Sequence, residues 1–140
     1  MTGYFDTSAI VPLLVMEPGS DAARRLFDSV DIVTSSRLLY AEARAALAAA
    51  RRAARLDLAG LRDAVAGLED LYASMERIEP SERIVRRAGD LAELHRLRGY
   101  DAVHLASAEA IAEDELVLVA GDHDLIRAAA ALGFATAELI

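Results

Sequence analysis

Four acidic residues stand at places where a folded chain can put them to use. Asp6 follows the apolar pair Tyr4-Phe5 and precedes two hydroxyls, Thr7 and Ser8. That reads as a buried strand ending in a carboxylate, with a helix starting at the hydroxyls. Asp122 closes the run from Leu116 to Gly121 in the same way. Asp101 falls in the first turn of a helix that begins after Arg98-Gly99-Tyr100, where the helix dipole favours an anion. Glu42 sits within the inward stripe of a long helix, three and four residues from Leu38, Leu39, Ala45 and Ala46. A glutamate there is costly to bury unless something pairs with it.

In open α/β sheets, ligands bind at the carboxyl ends of parallel strands, so two strand ends, one helix start and one inward stripe can converge on a single pocket. Four carboxylates held together without cations repel and raise one another's pKa values. Mg²⁺ or Mn²⁺ relieves that repulsion, because hard cations take oxygen ligands and keep several waters. Such a cluster suits metal-assisted phosphodiester hydrolysis, in which one ion activates water and another can stabilise the leaving oxygen. The competing account of Asp6 is that it only caps the next helix.

Other chemistry is narrowed by what the chain lacks. All fifteen basic residues are arginine, and there is no Lys, Asn, Gln, Trp or Cys. Without lysine there is no P-loop. Phosphoaspartyl hydrolases and response-regulator receivers, acidic α/β domains of similar build, also rely on a lysine. Without cysteine there is no disulfide framework, thiolate zinc site or thiol nucleophile. Ser107 has no His-Asp relay spaced to activate it and reads as helix packing. A net charge of −8 opposes unaided binding to nucleic acid, an objection that weakens if several of the acids bind divalent cations.

The remaining polar residues have plainer expectations. Asp124 is placed to cap a helix starting at Leu125, with metal ligation as the alternative. His104 reads as a packed structural histidine, His123 as a solvent-facing loop residue, and Tyr40 and Tyr100 as buried rings. Arg98, beside the acidic helix start, could contact phosphate.

The elements that must position these groups follow from periodicity and turn residues. The 140 residues are enough for one domain with a sizeable core, and 54% are hydrophobic. No apolar run approaches the roughly 20 residues needed to span a bilayer, and no export signal is seen, so a cytoplasmic protein away from membranes is expected. Along the chain we expect a short helix from Ala9 to Met16 with Pro12 near its fourth position. A helix through Phe27, capped by Ser20 or Asp21, precedes a strand over Asp31–Ser35. Ser36 should cap a long helix to about Ala54 with an inward stripe of Leu38, Leu39, Ala45, Ala46, Ala49 and Ala53. A second helix carries Leu61, Val65, Leu68, Leu71 and Met75, and a short strand lies at Arg77–Glu79. A helix from Ser81 presents Val85, Ala88, Leu91 and Ala92, and is followed by the Asp101 helix. The apolar strand Leu116–Val119, a helix from Leu125 to Leu132 and an edge strand at Phe134–Ala137 complete the chain.

Four stretches, Asp6-Thr7-Ser8, Tyr40-Ala41-Glu42, Tyr100-Asp101-Ala102-Val103-His104-Leu105-Ala106 and Gly121-Asp122, occur in the order and spacing of PIN-domain ribonucleases. The whole chain, 1–140, resembles one PIN domain, and most of all the VapC-type toxins of VapBC toxin–antitoxin systems. The resemblance implies a three-layer α/β/α sandwich with a central, mostly parallel sheet of four or five strands. It implies Mg²⁺ or Mn²⁺ held by Asp6, Glu42, Asp101 and Asp122, endonucleolytic cleavage of RNA, a VapB-type antitoxin and an expected homodimer. Thr7 or Ser8 matches the hydroxyl that supports the first acid. Ala120 departs from the pattern, since relatives often carry a hydroxyl two places before the last acid. The rival reading is a PIN-like module that turns over weakly and acts mainly by binding a partner.

Overall fold

The computed structural model describes residues 1–112 and 115–139. Five short strands form one sheet: β1 (Thr2–Phe5), β2 (Ile32–Ser36), β3 (Glu76–Ile78), β4 (Leu116–Ala120) and β5 (Ala135–Glu138). Their spatial order is β3-β2-β1-β4-β5, and every neighbouring pair is parallel. The helices are α1 (Thr7–Leu14), α2 (Ser20–Ser29), α3 (Leu39–Arg52), α4 (Leu58–Ser74), α5 (Glu82–His95), α6 (Gly99–Ala110) and α7 (His123–Ala131).

Strand alternation divides the core into two layers. Tyr4, Leu116, Leu118 and Ala120 point to one face and pack with Leu91 of α5, Leu105 of α6 and Leu125 of α7. Phe5 and Val119 point to the other face and meet Ile10 of α1, Leu39 and Leu47 of α3 and Leu68 of α4. The result is the expected α/β/α sandwich, its described strands five in number and all paired in parallel. No described helix is long and apolar enough to cross a membrane.

Three expectations about helices need correction. Ser36 does not cap the long helix; it is the last residue of β2, and its Oγ accepts the Leu38 N–H at 3.1 Å, so α3 starts only at Leu39. The inward stripe of α3 is Leu39, Ala43, Leu47 and Ala50 rather than Leu38, Ala45, Ala49 and Ala53. The run of alanines gives several stripes of equal hydropathy, and the position of Leu47 selects among them. On α5 the buried face carries Ile84, Ala88 and Leu91, while Val85 stays exposed. Here Ser81 caps as expected, its Oγ accepting the Ile84 N–H.

Two adjustments concern smaller features. Pro12 lies within α1, which begins at Thr7, and is buried. No side chain caps α2; the Ser20 hydroxyl instead donates to the Val15 carbonyl and accepts the Glu17 N–H, closing the turn before the helix.

The turn between α5 and α6 bears directly on the site. Arg96 ends α5 in the left-handed region (φ 56°, ψ 44°), where glycine is the usual residue. The Leu97 N–H then reaches back to the Ala92 carbonyl at 3.1 Å, its side chain is buried, and Arg98 takes an extended conformation to start α6.

Candidate active site

The neighbouring strands β2, β1 and β4 run parallel, so their carboxyl ends lie along the same edge of the sheet. Asp6 follows β1 and is almost fully buried. Its carboxylate accepts the Ser8 N–H at 3.1 Å and the Ser8 hydroxyl at 2.5 Å, so Asp6 is both the N-cap of α1 and the deepest of the four acids. Capping and site placement are one geometry here, not alternatives. The Ser8 Oγ also accepts the Gly121 N–H at 2.8 Å, tying the β1–α1 turn to the β4–α7 turn. A Cβ at position 121 would lie 3.2 Å from the Ser8 carbonyl oxygen, so the two turns pack closely.

Glu42, on the first turn of α3, reaches across β1. Its Oε1 accepts the Thr7 hydroxyl at 3.0 Å and contacts His104 Nε2 at 2.7 Å. Thr7 therefore supports the second acid and Ser8 the first. Burial by itself pushes the Glu42 carboxyl up, but the hydrogen bond and charge of His104, with the Thr7 hydroxyl and nearby Arg98, bring it below its ordinary value.

His104 is a packed residue, as expected, and it is connected to groups far away in the chain. It is fully buried on α6. Its Nδ1 lies 2.8 Å from the Tyr4 hydroxyl, and its Nε2 lies 3.4 Å from Asp6 as well as facing Glu42. Burial alone would lower the imidazole pKa; the nearby Asp6, Glu42 and Asp101 carboxylates outweigh it and raise it. The Tyr4 hydroxyl is raised well above its ordinary range, first by burial and then by Asp6. The available signal was spacing: His104 lies three residues after Asp101, on the same side of α6, above a tyrosine two residues before Asp6.

Asp101 occupies the first turn of α6, as its spacing predicted. Partial burial is the main cause of its raised pKa, and the charges of Asp6 and Asp122 push the same way, with Arg98 opposing them. Asp122 accepts the N–H groups of Asp124 (2.9 Å) and Leu125 (3.2 Å) and is the N-cap of α7. This corrects the expectation for Asp124. That residue lies inside the first turn of α7, is exposed, and caps nothing. Asp124→Asn is accordingly expected to shift both cleavage and melting temperature negligibly, within about 0.5 kcal/mol for an open surface position. A tenfold loss of cleavage in that variant would return Asp124 to the site.

Arg98 joins the last two acids. Its Nε donates to Asp101 Oδ2 at 3.0 Å and its Nη2 to Asp122 Oδ2 at 3.0 Å. The four carboxylates thus form two pairs, Asp6 with Glu42 about His104 and Asp101 with Asp122 about Arg98. Among the described residues, no three such side chains already surround a single cation-sized point. The donor set nonetheless suits a hard divalent cation: every acid offers oxygen, and Asp101 is held above its ordinary pKa by burial and by its acidic neighbours.

An apolar hollow of about 600 Å³, lined by Val85, Ala88, Gly89, Ala92, Tyr100 and Val103, runs from Glu42 and Asp101 along the α5–α6 groove. Tyr100 is 63% exposed at its rim, not buried as expected. Tyr40 is partly buried and turns its hydroxyl outward to Glu69 and Arg44. His123 faces solvent, 2.9 Å from Glu138.

Comparison with known proteins agrees with this architecture. The family described as PIN domain matches residues 3–131. A protein of Mycobacterium tuberculosis (strain H37Rv) named Ribonuclease VapC49 is 46% identical over 130 residues, covering 93% of this chain and 90% of its own. Among solved structures, Mycobacterium tuberculosis VapC20, described as a sarcin-ricin loop cleaving toxin, superposes with a TM-score of 0.69 at 20% identity, covering 94% of this chain and 95% of its own. VapBC2 from Rickettsia felis, bound to a DNA fragment from its promoter, gives 0.67 at 16% identity with both chains fully covered. With a family match over nearly its whole length and a relative at this identity, the chain belongs to the PIN-domain family, in its VapC branch.

Proposed function

We propose that this protein is a metal-dependent endoribonuclease, the toxin of a toxin–antitoxin pair, acting in the cytoplasm as a homodimer and neutralised by a VapB-type antitoxin. The observation that supports the reading is the placing of Asp6 and Glu42 about His104 and of Asp101 and Asp122 about Arg98, four acids from four separate segments. The name carried by the 46% identical relative supports the substrate class.

In this reading the four carboxylates hold Mg²⁺ or Mn²⁺, which supplies an activated water and charge stabilisation at the leaving oxygen. The chain's own part is preorganisation. Ser8 fixes one oxygen of Asp6, and Thr7 and His104 fix one oxygen of Glu42, so these acids pay little to reach a productive geometry. Among the described residues, no hydroxyl is set up as a covalent nucleophile beside the acids. The Ser107 hydroxyl is buried and donates to the Val103 carbonyl, and the Thr7 hydroxyl is committed to Glu42.

The test has two arms. Inducing the chain in cells should create new RNA ends at a restricted set of sites. Purified protein should cut a short RNA carrying such a site in Mn²⁺ and stop when the metal is chelated. Cleavage that persists in chelator, or no new ends after induction, would defeat the proposal.

A further inference from the structure

Arg98 sits where local rules disfavour it. Ser, Thr, Asp and Asn are the residues that satisfy a helix N-cap, and a cation at a helix N-terminus opposes the dipole. Arg98 holds the N-cap position of α6 and makes no capping bond. Its side chain is 82% exposed. The turn that delivers it is an unusual one, with Arg96 left-handed and Leu97 buried as an anchor. Local disagreement of this kind marks functional positions, where a compensating gain lies elsewhere. The gain here is two carboxylates, Asp101 and Asp122, each 3.0 Å from a different guanidinium nitrogen.

A planar fork between two carboxylates is good counter-charge for metal-free acids and poor company for a metal. A divalent ion on Asp101 and Asp122 would repel the guanidinium and take its acceptors. The side chain is long, exposed and free to turn outward, carrying N–H donors suited to bidentate phosphate contact. We propose that Arg98 is a built-in counter-cation: it bridges Asp101 and Asp122 in the metal-free protein, and when a divalent ion takes those carboxylates it turns onto the RNA backbone. This inference rests on the nuclease reading and adds a residue that works on both sides of metal loading.

The experiment uses calorimetric titration with Mn²⁺ in the absence of RNA, on wild type, Arg98→Ala, Arg98→Lys and Asp101→Asn. Arg98→Ala should bind Mn²⁺ roughly three- to tenfold more tightly, the scale of a small set of exposed ion pairs. Arg98→Lys, a point charge without the fork, should fall between it and wild type. At saturating Mn²⁺, Arg98→Ala should raise the KM for a short RNA several-fold with kcat nearly unchanged. Removing so exposed a side chain leaves the core intact, and melting curves in Mn²⁺ should coincide with wild type. Equal Mn²⁺ affinity in wild type and Arg98→Ala, with binding lost in Asp101→Asn, would overturn the role of Arg98 and leave the nuclease reading standing. Absence of Mn²⁺ binding in wild type and Arg98→Ala alike would sink both. An unchanged KM would overturn the backbone grip.

Discussion

Asp101→Asn should lose RNA cleavage by roughly a hundredfold or more, the scale of removing one preorganised electrostatic group from a reaction centre. The same substitution should raise the melting temperature of the metal-free protein. Asp101 is pushed above its ordinary pKa first by burial and then by Asp6 and Asp122. A folded-state pKa that is raised means the ionised carboxylate costs stability at neutral pH, and the neutral amide escapes that cost. Loss of the Arg98 contact offsets this only modestly, because that side chain is largely exposed. A rise of a few degrees is expected, the shift that about 1 kcal/mol produces in a domain of this size. Single-turnover cleavage and metal-free melts decide the matter. A variant that is less stable without metal and still cleaves at the wild-type rate would remove Asp101 from the site.

His104→Ala should be the most destabilising change at the site, on the order of 3 kcal/mol or more. It opens a cavity between the sheet and α6 and removes the imidazole that the buried Tyr4 hydroxyl meets at 2.8 Å. A cycle with Tyr4→Phe should show coupling of about 1 kcal/mol or more, because each residue satisfies the other. The sign with pH can be stated. The titratable groups facing the ring are Tyr4, Asp6, Glu42 and Asp101, and the three carboxylates outweigh burial to raise the imidazole pKa. Stability from the charged ring is therefore fully present below the ordinary imidazole pKa and is lost as pH rises through the folded value. Metal-free wild type should lose melting temperature across that window, and His104→Ala should lack this component. Independent, additive effects of Tyr4→Phe and His104→Ala would contradict the pairing.

How far the sequence could be read depended on how local the signal was. The strand Leu116–Ala120 and the Asp101 helix were legible because apolar runs and an acidic first turn are properties of a few adjacent residues. The face of α3 was not, since alanine at seven of its fourteen positions leaves the inward stripe undetermined until Leu47 meets the sheet. The four acids could be chosen from strand ends and helix starts, but their pairing could not. His104 reaches Glu42 from 62 residues away and Arg98 reaches Asp122 from 24, and neither contact leaves a periodicity. The cap of α7 was misplaced by two residues because Asp122 and Asp124 are both plausible caps; the backbone decides by giving Asp122 the extended conformation.

The strand order has a consequence for the life of the nascent chain. β1, made before the other four strands of its sheet, has β2 on one side, but its other neighbour is β4, with Thr2 opposite Leu116. Synthesis at about 5–20 residues per second therefore leaves one edge of β1 open for several seconds or more. Until β4 arrives, Asp6 has neither the Val119 carbonyl for its N–H nor the Gly121 turn behind Ser8. Such long-range pairing is slow to form and comes late. The fold thus imposes a delay: the acids come together only once β4 has been made, and a fragment cut short before Leu116 would carry Asp6, Glu42 and Asp101 without the strand that gathers them.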